Sequence, residues 1–198
     1  VWSVAAPQQV QAARLSGAVA ALRRLLGENP LPTVTSAAKL TGRCVRALPL
    51  PSRPMAAAQA GLPRPDEPLA ALWHDCTVLR EHRGDGHLAA VAVAGLVWPE
   101  PHLLQSQVDV RQQQYRGWDD QSWQDAAERV RGKDLHEVEV LTDRLAAPAY
   151  SALDPAESVE LAQVLEPLAL AASAQLPYPN AMGVPRPERK EGHEDSVR

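Results

Sequence analysis

Apolar residues recur along this chain at three- and four-residue intervals, the period of a helix that buries one face. Leu15, Val19, Leu22 and Leu26 predict a helix over Gln8–Leu26, with Pro7 in its first turn and Gly27 just past its end. A Pro-bearing loop, Glu28–Pro32, follows. Ala37, Leu40, Cys44 and Leu48 predict a second helix over Ser36–Leu48, weakened by Gly42 in its middle. Its other face carries Lys39, Arg43 and Arg46, which suits a solvated surface or a stripe that contacts phosphates. Pro49–Pro65 holds five prolines around the run Ala56–Ala60. Such a segment lies extended or forms one very short helix, and it marks a boundary.

The centre of the pattern is Asp66–Leu96, which reads as two helices back to back. Leu69, Leu72, Trp73, Cys76 and Leu79 stripe the first, which Asp66 caps and Gly84 stops. Asp85 then caps a short second helix, His87–Ala94, almost wholly apolar and ended by Gly95. The charged turn between them is His82-Arg83-Gly84-Asp85-Gly86-His87.

Beyond the break at Pro99-Glu100-Pro101, His102–Gln114 is a polar helical stretch. Asp119 caps a helix over Asp120–Arg131 whose apolar face is Trp123, Ala126, Ala127 and Val130. Glu137–Ala146 continues with Val138, Leu141 and Leu145, although Val138-Glu139-Val140 alone also fits a short strand. Asp154-Pro155 opens a last helix, with Leu161, Val164, Leu165 and Leu168 inward and a kink at Pro167. The organisation that emerges is an N-terminal helical segment with its Pro-rich connector (1–58), a helical domain (59–176) and a disordered, charge-rich tail (177–198).

Composition supports this all-helical reading. Hydrophobic residues make up 45% of 198 positions, yet there is no Phe and aromatics are 4%, which favours packed helices over sheets. A net charge of −4 argues against chain-wide attraction to nucleic acid and leaves only local basic patches. Cys44 and Cys76 both sit on apolar stripes, as buried thiols in a reducing cytoplasm would, and burial argues against Cys76 as a nucleophile. No run is long enough for a membrane span, and no signal peptide is visible. The chain opens at Val1, without Met and already inside an apolar pattern, which suggests a processed or truncated product.

Three blocks carry a resemblance. The stretch DEPLAALWHDCTVLREHRGDGHLAAVAVAGL, then YRGWDDQSWQDAAERVRG, then TDRLAAPAYSALDPAESVELAQVLEPLA resemble an actinobacterial, SalK-like family whose members are labelled helix-turn-helix or MarR-like. The resemblance is most specific in LREHRGDGH and in the Trp118/Trp123 pair, and it covers roughly Val1–Leu170. It implies a mainly α multi-helix bundle with a degenerate winged-helix-like C-terminal half, and a role in transcription regulation within secondary metabolism. Where that family carries a wing hairpin, Lys133-Asp134-Leu135 leads almost directly into His136, so the wing is reduced and DNA binding weakened. On this reading Asp120–Arg131 is the recognition helix, and Arg116, Arg129, Arg131 and Lys133 are its DNA-contacting candidates. Its carboxylates, Asp119, Asp120, Asp125 and Glu128, oppose that role.

Two other sites compete with it. His74, Asp75, His82, Asp85 and His87 gather titratable groups, and histidine beside carboxylate is the usual pairing for proton transfer, so a small tailoring enzyme is the alternative. The plainer account makes them a structural turn, with Asp85 as a cap and Arg80 and Arg83 paired to Glu81 or Asp85. A small-molecule pocket between helices is the third reading, lined by Trp73, His74, Arg80, His82, Arg83, His87, Trp118, Trp123 and the Ala-rich 88–94 segment. A homodimeric scaffold with no chemistry of its own is a further reading. No HxxxH, CxxC, GxGxxG, P-loop or GxSxG pattern is present, so neither metal nor cofactor is expected.

Overall fold

The computed structural model describes residues 3–27, 31–104, 113 and 116–174. Among them lie eight α-helices and one 3-10 turn, with no strand. In chain order these are α1 (Pro7–Leu26), α2 (Leu31–Arg46), α3 (Pro54–Ala60), α4 (Pro68–Val93) and α5 (Glu100–Leu104). After them come α6 (Asp120–Arg129), α7 (His136–Ala146), the 3-10 turn Ala147–Tyr150 and α8 (Pro155–Ser173). The mainly α multi-helix bundle that the periodicity predicts is what the chain builds. The expected tail at 177–198 and most of His102–Gln114 fall outside the described residues.

The central stretch differs from its sequence reading. Instead of two helices and a turn, Pro68–Val93 is one continuous helix of 26 residues, about 39 Å long. Its N-cap is Glu67 rather than Asp66, with a Glu67 carboxylate oxygen accepting the Ala70 N–H at 2.8 Å. Gly84 does not stop it, and Asp85 does not cap a second helix. The Asp85 carboxylate instead accepts the backbone N–H groups of Met55 (3.2 Å) and Ala56 (3.0 Å), so it caps α3 from a different helix.

Close packing explains Gly86, and Gly84 faces only flexible side-chain ends. A β-carbon on Gly84 would stand 3.3 Å from Met55 Cε, and one on Gly86 would stand 2.6 Å from Arg53 Nη1 and 3.2 Å from Leu145 Cβ. Each helical glycine costs roughly 1 kcal/mol against alanine, and tertiary contact outweighs that local preference. The helix does end where Gly95 stands, at φ 67°. Its last turns are less buried than an all-apolar segment suggests: Ala90 and Val91 are inside, while Leu88 and Val93 are exposed.

Helix α4 runs through three hydrophobic clusters. Its first turn, Leu69–Leu72, packs with Val19 of α1, Val34, Ala37 and Ala38 of α2, and Leu165 and Leu168 of α8. In the middle, Leu79 joins Leu40, Cys44, Ala149, Leu153 and Leu161. At its end, Ala90 and Val91 meet Leu96, Val130 and Val138, with Leu135 and Leu141 of the α6–α7 region beside them. Burial in all three clusters, at roughly 25 cal/mol per Å² of apolar surface, is what holds so long a helix in the body of the protein.

The remaining caps follow the sequence. Asp119 accepts the Ser122 N–H at 2.8 Å, and Asp154 and Glu157 form a reciprocal capping box at the start of α8. Helix α8 continues through Pro167, which offers no N–H to the preceding turn. Val138-Glu139-Val140 is helical, within α7. Residues 130–135 link α6 to α7 through Gly132 at φ 75°.

Candidate functional site

A cleft of about 370 Å³ opens between the N-terminal half of α1 and the first half of α4. Helix α1 contributes Gln8, Gln11, Ala12, Arg14 and Leu15, and the segment around the end of α3 contributes Gln59, Leu62 and Pro63. Trp73, His74 and Thr77 of α4 complete the wall, most of which is carbon. Residues at i, i+1 and i+4 share this face because the cleft spans a full turn of the helix.

His74 is held from behind. Its Nδ1 lies 3.2 Å from Asp75 Oδ1, and Asp75 is fully buried. Arg64 grips that carboxylate with Nε at 2.9 and 3.1 Å and Nη2 at 2.7 Å, while Thr41 Oγ1 lies 3.2 Å away. Arg64 also donates to the Ala38 carbonyl at 2.9 Å, lying over Gly42, where a β-carbon would stand 2.9 Å from Nη2. Burial pushes the Asp75 carboxyl up, but hydrogen bonds from His74 and Arg64 outweigh it and hold the group below the usual carboxylate range. An ionised carboxylate only accepts, so the Nδ1 of His74 carries its proton. The Nε2 is closed to solvent and has no hydrogen-bond partner, a condition that costs about 1–3 kcal/mol.

The other titratable candidates stand elsewhere. His82 is fully buried, and neither ring nitrogen is hydrogen-bonded. Burial and the Arg53 charge lower its pKa, against Asp85 and a Pro49 carbonyl that favours the charged form without meeting hydrogen-bond geometry. His87 Nδ1 lies 3.1 Å from Thr142 Oγ1, whose own proton goes to the Val138 carbonyl at 2.7 Å. Asp85 is the cap of α3. Arg80 pairs with Glu81, as the sequence suggests, but Arg83 reaches Glu139 (2.8 Å) and Asp143 (3.1 Å) rather than Asp85. Of the three histidines only His74 lines the cleft, so the structure does not assemble the acid–base constellation.

Neither Trp118 nor Trp123 lines the cleft, and both are half-buried near α6. Both free thiols sit in apolar surroundings, and burial pushes Cys76 up to about 11. No group of three or more His, Cys, Asp or Glu side chains is placed to hold a metal among the described residues. Nor is any described helix long and apolar enough to cross a membrane.

The exposed face of α6 carries Asp120, Gln121, Gln124, Asp125 and Glu128. Two of the basic candidates are engaged by carboxylates: Arg129 Nε donates to buried Glu100 at 2.5 Å, and Arg131 to Glu128 at 2.5 Å. Arg116 and Lys133 are exposed at either end of the helix. On α2, Arg43 pairs with Glu157 and donates to the Ala152 carbonyl at 2.6 Å, tying α2 to α8, while Lys39 and Arg46 stay exposed.

The family model described as a helix-turn-helix family matches residues 1–179. The chain belongs to that helix-turn-helix family. The match runs across both the cleft-bearing body and the α6–α7 region, so one family unit contains both candidate sites. No curated protein and no solved structure matches the chain.

Sequence reading missed Arg64, Arg53 and the α1 wall of the cleft. Arg53 and Arg64 stand in the Pro-rich connector, where a charge reads as solvated. The available signals were two arginines flanking an Ala-rich run, and a glycine in α2 where a side chain must cross.

Proposed function

We propose that this chain is a cytoplasmic regulatory protein of the helix-turn-helix type that binds duplex DNA weakly, through the surface around α6. Membership of the family carries this reading. Weakness follows from charge: α6 presents three carboxylates of its own, and Arg129 and Arg131 are already paired. Arg116 and Lys133 are then the cations left for phosphate, and two copies on a two-fold site would double that grip. The resemblance to the SalK-like, MarR-like regulators ties the role to secondary metabolism.

Anisotropy of a labelled duplex, titrated with the protein at stepwise salt, tests this. Two phosphate contacts per copy give a log–log salt slope of about −2 for one bound copy and about −4 for two. Absence of binding at the lowest salt would remove DNA from the account.

A second reading rests on the cleft: the body of the chain takes a small molecule against Trp73 and His74, as regulators of this kind do when they sense an effector. The acid–base alternative has no comparable support, because His74, His82 and His87 have separate surroundings.

A further inference from the structure

We infer that the cleft between α1 and α4 binds a compact, mainly hydrocarbon molecule bearing one hydroxyl or N–H donor, which the Nε2 of His74 accepts. The inference rests on the reading that the body of the chain takes a small molecule, and it adds the chemistry of that molecule.

Three observations combine. The cleft, at about 370 Å³, is near the lower end of the roughly 300–1,000 Å³ range of ligand sites, so it suits a single small molecule. Its wall is mostly carbon, with Leu15, Leu62, Pro63 and the Trp73 indole available to a flat apolar body. His74 belongs to that wall, and its Nε2 is a buried nitrogen without a partner.

The direction of the missing hydrogen bond follows from the chain of contacts behind the ring. Arg64 fixes Asp75 as a carboxylate, and Asp75 fixes the proton of His74 on Nδ1. In the neutral ring Nε2 then offers only a lone pair. An alcohol, phenol or N–H group satisfies it, whereas an ether of the same shape sets lone pair against lone pair. The orphaned nitrogen therefore works as a selector, favouring donors over isosteric non-donors. Because Nε2 is closed to solvent, the wall must shift for the donor to reach it, and the bond then formed offsets the cost of the unmet one.

Calorimetric titration of the full chain with 2-naphthol and with 2-methoxynaphthalene, at about pH 8 where an ordinary imidazole is neutral, tests this. The naphthol binds roughly tenfold tighter than its methyl ether. His74→Phe, checked for retained helicity by circular dichroism, brings that ratio to about one. Ala12→Trp, on the α1 wall of the cleft, abolishes binding of both probes. Equal affinities for the two probes in the unaltered chain overturn the donor inference while leaving the cleft as a binding site. Binding of neither probe, or binding indifferent to Ala12→Trp, overturns the small-molecule reading itself. If His74→Phe does not fold, the probe ratio in the unaltered chain and the Ala12→Trp result still decide.

Discussion

Gly86 and Arg53 meet where three helices converge. The guanidinium of Arg53 donates to the His82 carbonyl of α4 (3.2 Å) and the Leu145 carbonyl of α7 (2.8 Å), directly over the place where a Gly86 side chain would be. Gly86→Ala should therefore destabilise by about 1–3 kcal/mol, since Leu145 Cβ cannot retreat and Arg53 would lose its carbonyls. Gly84→Ala meets only the flexible end of Met55, so its helix-propensity gain should leave stability within about 0.5 kcal/mol of the parent or above it. Urea melts of the two variants check the contrast; equal losses would remove packing as the reason for Gly86.

The same three-helix junction shows what was and was not legible in the sequence. The helical class, the Gly27 and Gly95 ends and the Asp119 and Asp154 caps follow from local rules, and each is present. The supposed turn at His82–His87 follows from the same rules and is absent, because glycine and aspartate signal a break only when nothing outside the segment needs them. Here Arg53 needs Gly86, and the start of α3 needs Asp85. At the cleft, Trp73 and His74 stood out by residue type, whereas Arg64 and the α1 wall come from positions distant in sequence. A single sequence read by period offers no signal for such long-range pairs.

Asp85→Ala should cost about 2 kcal/mol, because it leaves two N–H groups at the start of α3 without their acceptor. The loss should be local before it is global. Amide hydrogen exchange at Met55 and Ala56 should accelerate more than exchange in the middle of α4. Uniform acceleration throughout would contradict a capping role.

Acid should destabilise the fold in two steps of the same sign. Burial lowers His82, and His102 to about 4, from an ordinary value of 6.5, so the unfolded chain binds protons that the folded chain refuses. Stability is thus present above about pH 6.5 and falls as pH drops toward 4. Asp75 lies below its ordinary 3.8, and the stability it contributes is lost only as pH falls below that value. Urea midpoints against pH should lose their slope between pH 6.5 and 4 in a His82→Leu, His102→Gln double variant and keep their lower step. Asp75→Asn should shrink the lower step, to which Glu100, Asp119 and Glu157 also contribute, at a loss of about 3 kcal/mol near neutrality, the low end for breaking a buried pair because Arg64 is partly in water.

The balance of charge on α6 should set how tightly DNA is held. Glu128 holds Arg131 at 2.5 Å in exposed surroundings at the end of α6, where exchange of one partner for another costs little. Glu128→Gln should free Arg131 for phosphate, raise duplex affinity several-fold at low salt and steepen the log–log salt slope by about 1. Lys133→Ala should act in the opposite direction, weakening all sequences alike and flattening the slope by about 1. Anisotropy titrations at three or more salt concentrations read both quantities. If the parent binds DNA but neither substitution moves the slope, the duplex lies against another face, and the exposed Lys39 and Arg46 of α2 become the next pair to replace.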